Sequence, residues 1–374
     1  MIQQLMNTPL VRLVASESTW VEGDAVAQLK KTAEREGMVS AVGMPDIHPG
    51  KGSPVGGVFL SKALFYPHII GNDAGCGMGF FKTTLKTRKM KKEKWAAALA
   101  EWGGMPEDEK VQYLMDAGVE TGPHDAALGT IGGGNHFAEL QMVENVMDDE
   151  AFEHLGCDMK TLFLLVHSGS RSLGESLYRD HTGTRGADPL HDGTEDADLF
   201  LSRYDHAIRW AAVNRRLIAK QFMDVTGGHC EPILDLNHNS ISVQDVDGEP
   251  HWLHRKGAAP SDAGPVIIPG SRGTFTYLVL PTGPQAQNLW SLAHGAGRKW
   301  NRGSCKGKLK EKWTANDLRR TDLGGIVICD DRDLIYEEAP QAFKKIDTVI
   351  NAMADCGLIR VIATFRPVIT LKAG

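Results

Sequence analysis

Short apolar runs alternate with clusters of glycine, serine and histidine through the middle and end of this chain. The runs TLFLLV (161–166), PVIIP (265–269), FTYLVL (275–280), GIVIC (325–329) and IRVIATF (359–365) have strand length and β-branched or aromatic content. Each predicts a buried strand. Apolar residues spaced by three and four predict a helix over 198–225, capped by Asp198 and stopped by Gly227 and Gly228. A second helix is expected from Pro340 to Cys356, stopped by Gly357, and a more basic one over 92–101. Strands and helices together predict a mixed α/β (α+β) fold. Many of the strands end directly in a polar cluster, where active sites are commonly built.

Composition narrows the class. With 374 residues, 42% hydrophobic and 24% charged, the chain can bury a sizeable core. Its 41 glycines often fall beside histidines, which fits backbone shaped for close approach to a ligand. A net charge of −6 excludes a globally basic nucleic-acid binder, so any such partner needs a local patch. None of the six cysteines forms a CxxC pair, which argues against zinc ribbons and thioredoxin-type sites. They read as reduced intracellular thiols. The start, MIQQLMNTPLVRL, lacks the pattern of a signal peptide, and no apolar run is long enough to span a bilayer. A cytoplasmic protein is expected.

The chemistry lies in a set of short polar motifs. His48 sits in MPDIHPGKGSPVGG, Asp73 and Cys76 in GNDAGCGMGF, His136 in IGGGNHFAEL, His167 in LLVHSGSRSLG, His238 in LNHNSI and His294 in AHGAGR. Singly, each is an ordinary turn or core residue. As a set, thiolate, imidazole and carboxylate in glycine-rich settings suit first-row divalent ions, and a cysteine can bridge two of them. HSGSRSLG and PGSRGT pair small residues with Arg171 and Arg272, and HRKGA adds Arg255 and Lys256. Such loops hold phosphate oxygens through backbone N–H groups and guanidinium forks. Two local basic stretches remain. KTRKMKKEKW (86–95) reads as a solvated helix face. RKWNRGSCKGKLKEKW (298–313) interleaves lysines with tryptophans beside His294, a mixture that suits single-stranded RNA. CDDRD (329–333) reads as a turn.

These motifs, in this order, resemble those of the RtcB family of GTP-dependent RNA ligases, and the resemblance spans about residues 40 to 374. The chain is similar in particular to the subgroup encoded beside release factor H homologues. The resemblance implies a single compact mixed-sheet catalytic domain over 1–374 with a central metal and nucleotide cleft. It implies two manganese ions: Cys76 bridging, His167 and His238 on one ion, Asp73 and His136 on the other. It implies that His294 is guanylylated by GTP and that Asp46 orients its ring. Asn135, Glu139, Asn239, Ser271, Gly295, Ala296, Gly297 and Lys372 would bind GTP, while Arg171, Lys256 and Arg298 would handle phosphates. The implied reaction joins an RNA 3′-phosphate or 2′,3′-cyclic phosphate to a 5′-hydroxyl.

The chain departs from the family in three places. The segment between Cys76 and Asn135 is shorter than in typical members and is expected to be helical. The segment between His136 and His167 is longer. HGAGR is followed by KWNRGS, where other members often carry a serine–arginine pair. Two rival readings use the same residues: a metal-dependent RNA-end phosphoesterase, which needs no nucleophilic His294, and a non-catalytic binder of RNA ends.

Overall fold

A computed structural model describes residues 1–372. Two curled sheets carry the chain. A six-stranded sheet runs in the order Ile2–Met6, Leu10–Val14, Met38–His48, Val55–Ser61, Glu249–Lys256, Asn239–Val246. The second sheet has eight strands, in the order Cys230–Asn237, Gly77–Lys86, Thr161–Ser168, Phe137–Val146, Ile359–Leu371, Thr276–Pro281, Val266–Pro269. Its remaining strand, Ile326–Ile328, pairs in parallel with Ile359–Leu371. The mixed α/β architecture matches the expectation.

The run TLFLLV lacks alternation because both faces of its sheet are covered. Leu162, Leu164 and Val166 pack with Phe81, Ile218 and Phe222 on one side. Phe163 and Leu165 pack with Phe80, Phe365 and Leu278 on the other.

The long helix on this sheet spans Glu195–Thr226 and differs from the expected start. Thr194, not Asp198, is its N-cap, its hydroxyl accepting from the Ala197 N–H. Asp198 lies in the first turn with Glu195 and Asp196, where carboxylates favour the helix dipole. Its end is as expected, with Gly227 left-handed at φ 76°.

Three other elements are revised. The expected Pro340–Cys356 helix divides into a tight turn at Pro340–Ala342 and a helix over Ile346–Asp355. The strand expected to end at Phe365 continues to Leu371, and a register shift between Pro367 and Ile369 accommodates the proline. CDDRD is a helix start: Asp331 caps Arg332–Glu337 by accepting from the N–H groups of Asp333 and Leu334. The segment between Cys76 and Asn135 carries helices at Lys92–Ala100 and Glu107–Asp116.

Register brings the polar motifs to one end of the eight-stranded sheet. Gly77 pairs with both Asn237 and Ser168, while His167 pairs with both Met78 and Phe137. Cys76, His238, His167 and His136 therefore stand at the same end of four neighbouring strands. His238 is the only residue between Cys230–Asn237 in one sheet and Asn239–Val246 in the other.

One buried guanidinium ties these ends together. Arg215 projects from the long helix with 1% exposure and bonds Asp235 Oδ1 at 2.7 Å and Asn237 Oδ1 at 2.8 Å. It also donates to the carbonyls of Gly75 at 2.8 Å and Ser168 at 3.1 Å. Breaking a buried, charge-assisted cluster from one side costs about 3–5 kcal/mol. Arg215→Ala should therefore lower the urea unfolding midpoint by a corresponding amount, and an unchanged midpoint would show that the cluster carries no such weight.

Candidate metal and nucleotide site

One cavity of about 1290 Å³ opens at this end of the sheets. Every residue that the family resemblance assigned to the site lines it, except Asp46, which is wholly buried behind His294. Arg255, read from HRKGA beside Lys256, does not line it and donates instead to Ser291 Oγ and the Trp290 carbonyl. Arg272, Lys299, Trp300 and Lys308 line it as well, whereas no residue of the basic stretch 86–95 does.

Five heteroatom-bearing side chains form a continuous line in its floor. Asp73 Oδ2 lies 3.0 Å from His136 Nε2. Cys76 Sγ lies 3.3 Å from both His136 Nε2 and His167 Nε2. His167 Nε2 lies 3.2 Å from His238 Nε2. Cys76 is thus central, with Asp73 and His136 on one side and His167 and His238 on the other. Burial, reinforced by neighbouring cationic groups, pushes His167 and His238 well below the usual histidine range. Their imidazoles are neutral and keep lone pairs. Asp73 is half-buried, yet its His136 contact and Arg171 hold it below the ordinary carboxylate range, and its Oδ1 has no partner among the described residues. Neutral imidazoles, a carboxylate and a thiol converging at these distances fit divalent cations, with the thiol shared. Cys76, His136 and His167 form the tightest group, with ligand atoms all within 4.8 Å of one another.

Glycine makes the packing possible. A Cβ on Gly169 would sit 2.2 Å from Asp73 Oδ1, and one on Gly77 would sit 2.4 Å from the Leu236 carbonyl.

His294 stands beside this line, its ring centroid 4.8 Å from that of His238. Its Nδ1 is 2.8 Å from Asp46 Oδ2, which also accepts from the His294 backbone N–H at 3.3 Å. Donation from Nδ1–H to the carboxylate fixes the tautomer and leaves the Nε2 lone pair free. A left-handed Gly297 brings the HGAGR turn against Asp46; a Cβ there would lie 2.2 Å from the Asp46 carbonyl. Lys344 braces the arrangement, donating to the carbonyls of Pro45 at 3.1 Å and Ile47 at 2.7 Å.

The basic residues divide into free and committed. Arg171 opens the helix Arg171–Arg185 at φ 55°, lies across Gly132, and makes only a long contact to Thr130 Oγ1 at 3.4 Å. Strain of this kind at a cavity wall points to function. Lys256 lines the cavity with its ammonium on the Lys51 carbonyl and on the carbonyl and hydroxyl of Ser53. Arg298 lines it too. It donates to Glu338 Oε1 at 3.0 Å and to the carbonyls of Glu337 at 2.7 Å and Trp300 at 3.2 Å, and lies over Phe343. Both cations are thus already engaged with the wall, unlike Arg171.

The remaining nucleotide candidates ring the cavity. Asn135 and Ser271 are on its wall, and Gly295 and Ala296 continue the turn after His294. Asn239 accepts from Gly257 N–H at 2.8 Å and donates to the Asp73 carbonyl. Lys372 donates to the His136 carbonyl, and burial pulls its pKa down to about 8. Glu139 is buried, accepting from Gln141 and Thr370.

Sequence reading missed Arg215, Lys344 and Asn214. Asn214 accepts from Gly129 N–H and donates to Ser168 and Gly169, which fixes the HSGS loop. The available signal was a polar pair, Asn214 and Arg215, on the core-facing stripe of an otherwise apolar helix.

A model of the family described as tRNA-splicing ligase RtcB matches residues 28–103 and 101–373. The chain belongs to the RtcB family. It is 44% identical to RNA-splicing ligase RtcB2 of Escherichia coli ATCC 25922, over 96% of this chain and 94% of that one. It is 28% identical to the tRNA-splicing ligase RtcB of Nanoarchaeum equitans, over 98% and 96%. It is 27% identical to the RNA-splicing ligase RtcB of E. coli K12, over 94% and 95%. These RtcB relatives are thus matched over nearly their full length. Among the described residues no helix is long and apolar enough to cross a membrane.

Burial raises the Glu139 pKa from 4.5 to about 7. The sign follows from linkage: stability is complete below pH 4.5 and is lost as pH rises through about 7. Glu139→Gln lacks this loss, so its stability relative to the parent should climb across that window, by on the order of 3 kcal/mol at most. Urea unfolding of both proteins across the pH series checks it, and a flat difference would refute it.

Proposed function

We propose that the protein is a GTP- and manganese-dependent RNA ligase. It joins an RNA 3′-phosphate or 2′,3′-cyclic phosphate to a 5′-hydroxyl through a guanylylated His294. The observation that carries this reading is His294 held through Nδ1 by buried Asp46, at 2.8 Å, beside a line of five potential metal ligands.

The residues divide the work. Asp46 keeps the proton on Nδ1 and stabilises the ring as it gains positive charge, so Nε2 is the nucleophile toward the α-phosphorus of GTP. A new N–P bond forms and pyrophosphate leaves. The guanylyl group then passes from His294 Nε2 to the RNA 3′-phosphate, a 2′,3′-cyclic phosphate first adding water to give a 3′-phosphate and a 2′-hydroxyl, and the 5′-hydroxyl displaces GMP as the strand closes. Asp73 and His136 would hold one ion and His167 and His238 the other, with Cys76 between them. Bound there, the ions supply charge stabilisation at phosphate oxygens. Arg171, whose guanidinium makes only the long Thr130 contact, would meet a phosphate. Glu139 offers a carboxylate to the N–H edge of guanine, and Asn135, Asn239, Ser271, Lys372 and the Gly295–Gly297 turn line the nucleotide's place. Lys256 and Arg298 position the wall. The chain works as one catalytic domain in the cytoplasm, with a functional link to a release factor H homologue following the subgroup resemblance.

Incubation with α-labelled GTP and manganese, followed by a denaturing gel and peptide mapping, tests the reading. The label is expected on the His294 peptide, stable to alkali and lost in acid as for a phosphoramidate. His294→Ala should take no label while retaining its metal. Folded, manganese-loaded parent protein without label would favour the phosphoesterase or binding readings instead.

Cys76→Ala should lower manganese content for both ions, because the shared ligand is gone. Elemental analysis after dialysis measures this, and two ions retained per chain would refute a bridging thiolate.

A further inference from the structure

Four of the six cation–π pairs among the described residues fall on one strip at the cavity mouth. At one end Lys344 Nζ lies 5.7 Å from the ring centre of Trp20. Next, Arg298 lies over Phe343 at 4.9 Å. At the other end Lys299 and Lys308 lie 5.2 and 4.6 Å from the centre of Trp300. Backbone contacts join the pieces. Lys344 N–H donates to the Gly297 carbonyl, and the N–H groups of Lys299 and Trp300 donate to the Ala342 carbonyl. The strip therefore follows residues 342–344 along the HGAGR turn, directly outside His294.

Trp20 is 53% exposed and belongs to none of the apolar clusters among the described residues. It belongs to no motif that handles metal or nucleotide. Its neighbours Glu22 and Asp24 line the same mouth and repel a phosphate backbone, so a strand reaching Trp20 must present a base. Against the Trp300 ring lie the exposed Lys299 and Lys308, which suit phosphates. Aromatic faces interleaved with cations are the physical form of a single-strand track, because every base has a face to stack and every link a negative charge.

We propose that Trp20 and Trp300 are stacking platforms for nucleobases of a single-stranded RNA end, with Lys299 and Lys308 neutralising its phosphates. The inference rests on the RNA-end reading above and adds the residues that position the strand. It implies tolerance of base sequence and preference for unpaired ends, since a paired base cannot offer its face.

The test uses the full chain with manganese and no GTP. Its probe is a short single-stranded oligoribonucleotide with a 3′-phosphate and a fluorophore on its 5′ end, followed by anisotropy. Trp20→Ala should weaken binding roughly tenfold, while Trp20→Phe keeps most of the affinity. Binding of heparin, which has charge but no bases, should not change. Trp300 packs partly on the core formed by Leu309, Leu318 and Leu334, so Trp300→Leu and Trp300→Phe are compared, with loss expected for leucine alone. Undiminished RNA binding by Trp20→Ala, or an equal loss on heparin, overturns the strip. Failure of the two proposals is distinguishable. Parent protein that takes no guanylate label but binds RNA through Trp20 loses the ligase reading and keeps the strip. Parent protein that is labelled and binds RNA independently of Trp20 does the reverse, and parent protein that binds no RNA overturns the strip.

Discussion

The site depends on one charged group being fully removed from water. Arg215 reaches from the long helix into the seam where three strands end, and its bonds go to Asp235, Asn237 and the carbonyls of Gly75 and Ser168. Three of these four contacts are one residue from a proposed ligand: Gly75 from Cys76, Asn237 from His238, Ser168 from His167. Desolvating a guanidinium is costly, and a full set of acceptors is what makes it tolerable. The same set clamps three loops that would otherwise be free to splay. Asn214, one residue earlier, extends the clamp to Gly129 and Gly169.

With the frame fixed, His294 is held by exclusion as much as by attraction. A Cβ on Gly257 would lie 2.9 Å from His294 Cε1, and the Gly297 backbone is already against Asp46. The ring has one orientation that satisfies the carboxylate. Preorganisation of this sort is paid in backbone strain and buried polarity, visible in the left-handed Arg171 and in Asp46 Oδ1, which has no partner among the described residues.

Much of this is legible in the amino-acid sequence. The residues along the cavity floor sit in motifs where glycine and small polar residues interrupt apolar runs, and that interruption is a local signal. The strands were legible for the same reason. Less legible was whatever depends on distant partners. Lys256 and Arg298 read as phosphate ligands because their neighbours in sequence are small; their acceptors, Ser53 and Glu338, lie far away along the chain. Lys344 carried no motif, since it acts only through the carbonyls of Pro45 and Ile47. The helix start moved because a threonine outside the apolar pattern made the better cap. The long terminal strand ran past its expected end because a bulge absorbed Pro367.

His238 is the whole of the connection between a strand of one sheet and a strand of the other. Its N–H donates to the Cys76 carbonyl and its own carbonyl accepts from Ala258 N–H. The backbone of one proposed ligand is thus itself the joint between the two layers, so the place of that imidazole is set by how the layers are seated and not by a loop that could move independently of them.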